Sequence, residues 1–284
     1  MTLGAKKLLA FVSLSVFSTS FFVAEAAKSK ETTTEKIKRT KILKVCSESG
    51  YLPLEMKSAS GTWYGIDPEM MQNFSNELSQ KWNVKIQLEM MDTKWDGIIP
   101  SLLSGKCDAI ASSMAKTPER SQVVLFSNSY FSNHFLIAMR NTSNNKKSYA
   151  KLADLNKKDI RVAVKTGSSP DLYLQNSNLL NSANILKFDA DADTVNSVLL
   201  TDKADAFIYD VPYVKLVAAN NPGKVYILPN GFGGDEFGVA FRKQDKDFSD
   251  LFNSFLKQWK QNGGYKKTFH KYLETTDWME LLKK

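Results

Sequence analysis

Cysteine and histidine are nearly missing from this chain. Two of each occur in 284 residues. That is too few for a protein-built zinc site or a disulfide-dense scaffold. It also leaves little material for histidine-dependent catalysis. Arginine is scarce as well, with five residues among 38 Lys+Arg, so each forked guanidinium merits a look. No Gly-rich phosphate loop is present, nor a basic cluster interleaved with aromatics. The lysines are scattered, so the net charge of +8 reads as a solvated surface, not a nucleic-acid face. What remains is globular: 43% hydrophobic, 11% aromatic and 24% charged residues supply a core and exclude a wholly disordered or collagen-like chain.

Lys6 and Lys7 precede an apolar run from Leu8 to Val23, broken only by Ser and Thr. Ala24-Glu25-Ala26 then puts small residues at the two positions a signal peptidase reads. The run is short and polar for a membrane anchor, the alternative reading. Residues 1–26 are therefore read as an export signal cleaved after Ala26. No Cys stands at that point, so no lipid anchor is expected. Removing this segment, which holds two Lys and one Glu, leaves 258 residues with a net charge of +7. Residues 27–40 are polar and aperiodic and read as a flexible leader.

Strands and helices then alternate. Ile42–Cys46 reads as a buried strand. Asp67-Pro68-Glu69 opens a helix, with Asp67 as its cap and Met70, Met71, Phe74, Leu78 and Trp82 along one face. Val84–Leu88 alternates like a strand. Asp96 starts a second helix with Ile98, Ile99, Leu102 and Leu103 inward, and Asp108–Ser112 is a strand. The pattern restarts with a strand at Ile160–Val164, a helix opened by Pro170, a helix at Val195–Leu200 and a strand at Ala206–Tyr209. Such β-α-β series predict an α/β protein with mostly parallel sheets. Leu102–Ile110 and Leu199–Phe207 agree at five of nine positions. Occurring at equivalent places, the match predicts two similar lobes. Phe248, Leu251, Phe252, Phe255, Leu256 and Trp259 keep helical spacing, Gly263-Gly264 stop that helix, and Tyr265, Phe269, Tyr272 and Leu273 mark another.

These segments, in order, resemble the bacterial extracellular solute-binding proteins of family 3, the polar amino-acid receptors of ABC importers. The resemblance is carried by residues 45–55, Gly65-Ile66-Asp67-Pro68-Glu69, residues 95–102, residues 108–114 and Thr117-Pro118-Glu119-Arg120. Residues 126–130, 162–169, 204–210 and 238–243 continue it. The resemblance implies a type II periplasmic-binding-protein fold: two lobes, two crossover segments and a ligand cleft between. Lobe 1 would hold residues 41–132 and 232–284, and lobe 2 residues 133–231. Gly231, Gly233 and Gly234 suit a segment that changes φ/ψ on closure.

A free amino acid presents a carboxylate, an ammonium and a side chain. Arg120, in the first turn of a helix, offers a planar fork for the carboxylate. By position alone it reads as a surface residue paired with an acid, and the family motif turns it toward the ligand. Thr166-Gly167-Ser168-Ser169-Pro170 runs from strand to helix, with Ser169 as the cap, and Ser168 and Ser169 are expected to face an anion. An ordinary strand–helix turn uses the same residues. Asp210 follows an apolar strand, where α/β sheets place ligands, and helix capping is its other reading. By resemblance, Asp210 and Ser113 hold the ammonium, with Ser112 beside them. Ala115 lacks the hydroxyl common at its position but keeps a backbone contact. Tyr51 and Trp95 would sandwich the ligand side chain, and Glu48 would meet its far end.

An acid at Glu48 suits a cationic side chain, which the two aromatic faces reinforce. The expected ligand is therefore a basic amino acid: arginine, lysine, ornithine or histidine. Glutamine receptors of the family also have an acid there, with a Lys where Lys165 stands. Lys165 is therefore expected either to neutralise Glu48 or to meet an acceptor such as a carboxamide, and glutamine or another polar amino acid is the alternative. An enzyme on the same fold, like the cyclohexadienyl dehydratases, is the rival from another class. His134 and His270 have no Ser or Cys partner motif, and no cofactor or metal is expected. The expected partner is an inner-membrane ABC permease, the location periplasmic, and the protein monomeric. Cys46 and Cys107 fall on strands that this fold makes neighbours, and whether they bond is left open, because adjacent-strand geometry is often poor for a disulfide.

Overall fold

The computed structural model describes Met1 and residues 31–142, 149–189 and 197–283. The export segment beyond Met1, residues 27–30, and Val195 with Asn196 of the second-lobe helix lie outside the described residues. The fold is the unit Thr32–Lys284.

Residues 33–40 are not the flexible leader that their polarity implied. They form α1 (Thr33–Thr40), opened by a capping box in which Thr32 and Glu35 exchange hydrogen bonds. Ile37 is fully buried, Lys36 pairs with Asp108 at 2.8 Å, and Arg242 donates to the Thr33 hydroxyl at 2.6 Å. One apolar side chain and two polar anchors to the rest of the fold outweigh the local polarity.

The first sheet has the order β4-β1-β5-β13-β6. Its strands are β1 (Ile42–Ser47), β4 (Gln87–Asp92), β5 (Ala109–Ile110), β6 (Val124–Phe126) and β13 (Ala240–Arg242). The second has β11-β7-β10-β8-β9, with β12 paired to β7. Those strands are β7 (Phe131–Arg140), β8 (Val162–Lys165), β9 (Ile185–Phe188), β10 (Ala206–Asp210), β11 (Val225–Ile227) and β12 (Phe232–Phe237). A hairpin of β2 (Met56–Lys57) and β3 (Trp63–Tyr64) stands apart. Counted from β4 and from β9, the two main sheets repeat one order: three parallel strands, then an antiparallel one.

The sequence repeat falls at matching places. Asp108 accepts the Lys44 N–H at 3.0 Å and Asp205 accepts the Arg161 N–H at 2.9 Å. Each Asp N–H returns a bond to the same residue's carbonyl at 2.8 Å. The shared aspartate thus clamps the central strand of each sheet to its neighbour.

Helices cover the sheets: α2 (Ile66–Trp82), α3 (Trp95–Leu103), α4 (Pro118–Val123), α5 (Ser169–Ser177), α6 (Val211–Asn220), α7 (Lys246–Gln261) and α8 (Gly264–Leu273). The apolar face of α7 buries Phe248, Phe252 and Phe255 against Phe74 of α2, with ring centroids 5.1–5.7 Å apart. Each such ring contributes about 1.5–3 kcal/mol by leaving water.

Several boundaries differ from the sequence reading. Leu103 is 49% exposed, because α3 ends there and only Ile98 and Leu102 turn fully inward. The strand expected at Val84–Leu88 starts at Gln87. Asp67 is not a cap: Gly65 is, at φ 121°, where a Cβ would lie 2.2 Å from the Leu54 carbonyl oxygen. Only glycine fits that approach, which sets the Leu54–Glu55 loop against α2. Ser168, not Ser169, is the N-cap of α5.

Cys46 and Cys107 are bonded, with Cα atoms 5.7 Å apart. Cys46 is in register with Ile110, so Cys107 lies just before β5 instead of directly opposite. That offset avoids the poor geometry of a facing strand pair.

β7 and β12 run antiparallel, pairing Phe131 with Phe237 and Phe135 with Phe232. A register shift falls between Phe232 and Asp235, where Gly233 and Gly234 take φ 54° and 147°. At Gly234 a Cβ would meet the Asn133 carbonyl oxygen at 2.7 Å.

Candidate functional site

Four strands of the two sheets end at one place. Glu48 follows β1, Ser112 and Ser113 follow β5, Lys165 ends β8 and Asp210 ends β10. The C-terminal ends of parallel strands are where open α/β sheets hold ligands. Here both sheets aim theirs at a shared cavity. Every predicted site residue except Ala115 lines it: Glu48, Tyr51, Trp95, Ser112, Ser113, Arg120, Lys165, Ser168, Ser169 and Asp210. Glu55 and Tyr209 complete the wall and were missed. Glu55 sits in a loop without periodicity, its only signal being membership of the 45–55 segment. Tyr209 looked like strand core.

Arg120 is 7% exposed. Thr117 caps its helix, so the side chain starts from a fixed first turn. Its Nη1 donates to the Ala115 carbonyl at 3.0 Å and its Nη2 to the Gly167 carbonyl at 2.8 Å. Ala115 therefore orients the arginine and does not line the cavity. The guanidinium carbon lies 4.9 Å from the Trp95 ring centroid. Burial lowers the Arg120 pKa to about 10, partly offset by Asp235, Tyr209 and Asp210, so the group stays charged at neutral pH.

Asp210 faces it from the end of β10 in the second sheet. The Tyr51 hydroxyl donates to its Oδ2 at 2.6 Å, and Asn133 Nδ2 donates to its Oδ1. Burial, then the nearby Asp235 carboxylate, raise Asp210 to about 8 against those two hydrogen bonds. A second acid pair lies below. Glu55 accepts from the hydroxyls of Ser113 at 2.8 Å and Ser112 at 3.2 Å. Asp67 accepts the Ser113 N–H at 2.7 Å and the Tyr130 hydroxyl at 2.9 Å. Those bonds hold Ser113 at φ 45°, a left-handed backbone that non-glycine residues rarely adopt. Burial and Asp67 push Glu55 well up, and burial lifts Asp67 to about 6.

The side-chain end of the cavity is also occupied by charge. Glu48 Oε1 accepts the Trp95 N–H at 2.9 Å, and Oε2 pairs with Lys165 across the cleft. Lys165 Nζ sits 5.3 Å from the Trp95 ring centroid, and the Trp95 indole donates to the Gly167 carbonyl at 3.0 Å. Tyr51 packs edge-on to Tyr209 and Tyr213, at 5.2 and 5.8 Å. Ser168 turns its hydroxyl to the Lys165 carbonyl, at 2.7 Å. Among the described residues no group of three His, Cys, Asp or Glu could hold a metal ion.

A guanidinium on α4 and a carboxylate at the end of β10, aimed at one cavity, complement a zwitterion. The profile of the bacterial extracellular solute-binding proteins, family 3, matches residues 43–275. The chain belongs to this family. It is 31% identical over 262 residues to a "probable histidine-binding protein" of Campylobacter jejuni, covering 91% of this chain and 96% of that one. It is 28% identical over 240 residues to the lysine/arginine/ornithine-binding periplasmic protein of Escherichia coli, covering 82% and 87%. A solved ancestral amino acid-binding protein, described as a precursor of cyclohexadienyl dehydratase, superposes with TM-score 0.74 at 30% identity, over 85% of this chain and 99% of that one. The fold of this family 3 member is thus the two-lobed type II periplasmic-binding-protein fold. Within the described residues, no helix is long and apolar enough to cross a membrane.

Proposed function

We propose that this protein is a periplasmic receptor that captures a polar amino acid, histidine foremost among the basic ones, and delivers it to an ABC permease as a monomer. The observation that carries the reading is the convergence of Arg120, on α4, and Asp210, at the end of β10, on one cavity. The ligand carboxylate meets the Arg120 fork and the Ser168–Ser169 helix start. The ammonium meets Asp210 and Ser113. Each end is gripped from both lobes, so ligand favours the closed arrangement. The lobes are 41–132 with 232–284, and 133–231, joined through β7 and β12. Residues 1–26 are removed on export, which the mass of the secreted protein checks.

The Glu48–Lys165 pair supports histidine over arginine or lysine. The far end of the cavity carries no net charge, which suits a near-neutral imidazole better than a fixed cation. The same pair favours glutamine as the second reading, since a carboxamide meets both partners. Relatives named for histidine and for lysine, arginine and ornithine support the basic class. A thermal-shift screen of the twenty amino acids with ornithine, citrulline and cystine is expected to single out histidine, with glutamine next. No shift with any of them would overturn the receptor reading. Binding proceeds without turnover, and prephenate consumption by the purified protein would reverse that.

Capture is linked to protons. Asp210, raised to about 8, is neutral at pH 7 in the folded protein. An ammonium needs it ionised, so binding expels its proton. Affinity is expected to rise with pH up to about 8, and to fall by up to about tenfold per unit below that. Titration calorimetry in buffers of differing ionisation heat should detect about one proton released at pH 7. Zero release would remove Asp210 as the partner of the ammonium.

A further inference from the structure

The two crossover strands reach the charged end of the site. Asn133 of β7 stands directly opposite Asp235 of β12, just past the register shift at Gly233 and Gly234. The Asn133 side chain is fixed from one side, where its Oδ1 accepts the Val211 N–H at 3.3 Å. Its Nδ2 then faces two acids. It donates to Asp210 Oδ1, and makes a longer contact of 3.5 Å with Asp235 Oδ1. One amide thus lies between the carboxylate assigned to the ligand ammonium and a second carboxylate on a crossover strand. That second acid also faces the other anchor: among the acids whose charge supports the Arg120 guanidinium, Asp235 comes before Asp210.

The groups around Asp235 come from four elements. Asp210 faces it from β10, Arg120 from α4, His134 from β7, and the Ser169 hydroxyl from the start of α5. The groove on its outer side adds Lys116, Glu119, Tyr173 and Glu236. Those have partners of their own. Lys116 lies 4.0 Å from Glu236, which also takes the Ser129 hydroxyl, while Glu119 accepts from Asn176 at 3.3 Å and Tyr173 packs edge-on to Phe135. Burial raises Asp235, but hydrogen bonds from Ser169 and Asn133 and the Arg120 charge pull it back. Asp210 is pushed to about 8 by burial and then by the Asp235 charge. In the empty cleft the charge of the pair therefore rests on Asp235.

We propose that Asp235 is a positioning residue of the site, a crossover-strand carboxylate that holds Asn133 beside Asp210 and restrains the grip on the ligand by opposing both of its charged anchors. This rests on the amino-acid-receptor reading. A ligand carboxylate must share Arg120 with Asp235. A ligand ammonium needs Asp210 ionised, which sets two like charges on either side of one amide. Each effect lowers affinity, and both lapse when Asp235 loses its charge.

Titration calorimetry with histidine and with glutamine, from about pH 6 to about pH 9, tests this on the wild type and on Asp235→Asn. Asparagine keeps the shape, and keeps an oxygen for Ser169 and Asn133. The variant is expected to bind at least about threefold more tightly than wild type at pH 7, because its Asp210 ionises at lower pH. Proton release on binding at pH 8 should fall from about half a proton to about a quarter or less. The gain should narrow as pH rises, since Asp210 is then ionised in both proteins. A merely structural Asp235 predicts the reverse, weaker binding by one factor at every pH, and that result overturns the proposal. So does an Asp235→Asn protein with the wild-type pH profile and proton release. If Asp235→Asn does not fold, Asp235→Ser removes the same charge and is judged by the same pH profile. Wild type that binds neither histidine nor glutamine overturns the receptor reading itself, and the proposal with it.

Discussion

Arg120→Ala is expected to weaken capture of every amino acid by about 3–5 kcal/mol, a loss of roughly 100-fold to several thousand-fold. The size follows from burial. Arg120 is 7% exposed, and no solvent replaces a lost guanidinium at the bottom of a closed cleft. The ligand carboxylate would be left desolvated with only backbone donors. Arg120 also donates to Gly167 across the cleft at 2.8 Å, so the variant loses a lobe-to-lobe contact as well. Arg120→Lys keeps the charge but not the fork, and is expected to recover part of the affinity. The loss should be uniform across amino acids, because the carboxylate is common to all. Unchanged affinity by calorimetry, or a loss confined to one side-chain class, would move the carboxylate site elsewhere.

Removing the disulfide is expected to produce the largest change in stability. Cys46 and Cys107 are fully buried among Ile98, Leu102, Ile110, Met114, Val124 and Ala240. The bond closes a loop across a separation of 61 residues. In the chain-entropy account, such a loop stabilises by about 4 kcal/mol, or roughly 8–16 °C in Tm for a chain of this size. The double variant Cys46→Ala with Cys107→Ala avoids leaving buried thiols and should show this drop by calorimetry. A drop below about 2 °C would contradict the loop-closure account. Binding at 25 °C is expected to survive, since neither cysteine lines the ligand cavity. An exported protein meets an oxidising compartment in which such a bond persists.

The alternation of elements was legible because burial leaves a period in the sequence. The α7 helix reads from Phe248, Phe252, Phe255 and Trp259 at helical spacing, and β1 from its apolar run. The leader was misread although its signal was present: Thr32 and Glu35 stand three apart, the spacing of a capping box. Asp67 is a further lesson. Asp before Pro-Glu looks like a cap, yet Gly65 takes that place and Asp67 turns inward to hold Ser113 and Tyr130. A cap needs only a local geometry, and a buried carboxylate answers instead to partners 46 and 63 residues away.

Periodicity in the chain placed Glu48, Ser112, Ser113, Lys165 and Asp210 at or near strand ends and Arg120 at a helix start, and the resemblance to family 3 receptors picked them out as site residues. Strand direction and helix capping are short-range properties, so element ends can be read locally, while the cleft that gathers them was implied only by the resemblance. Which group meets which was decided by the closure of two sheets. Tyr51 bonds Asp210 across 159 residues, and Lys165 pairs with Glu48 across 117. No period or spacing encodes such distances. From the chain, Lys165 could either neutralise Glu48 or meet an acceptor on the ligand, and nothing local chose between them. In the folded protein the cation of Glu48 is Lys165, because the ends of β1 and β8 bring the two side chains together across the cleft.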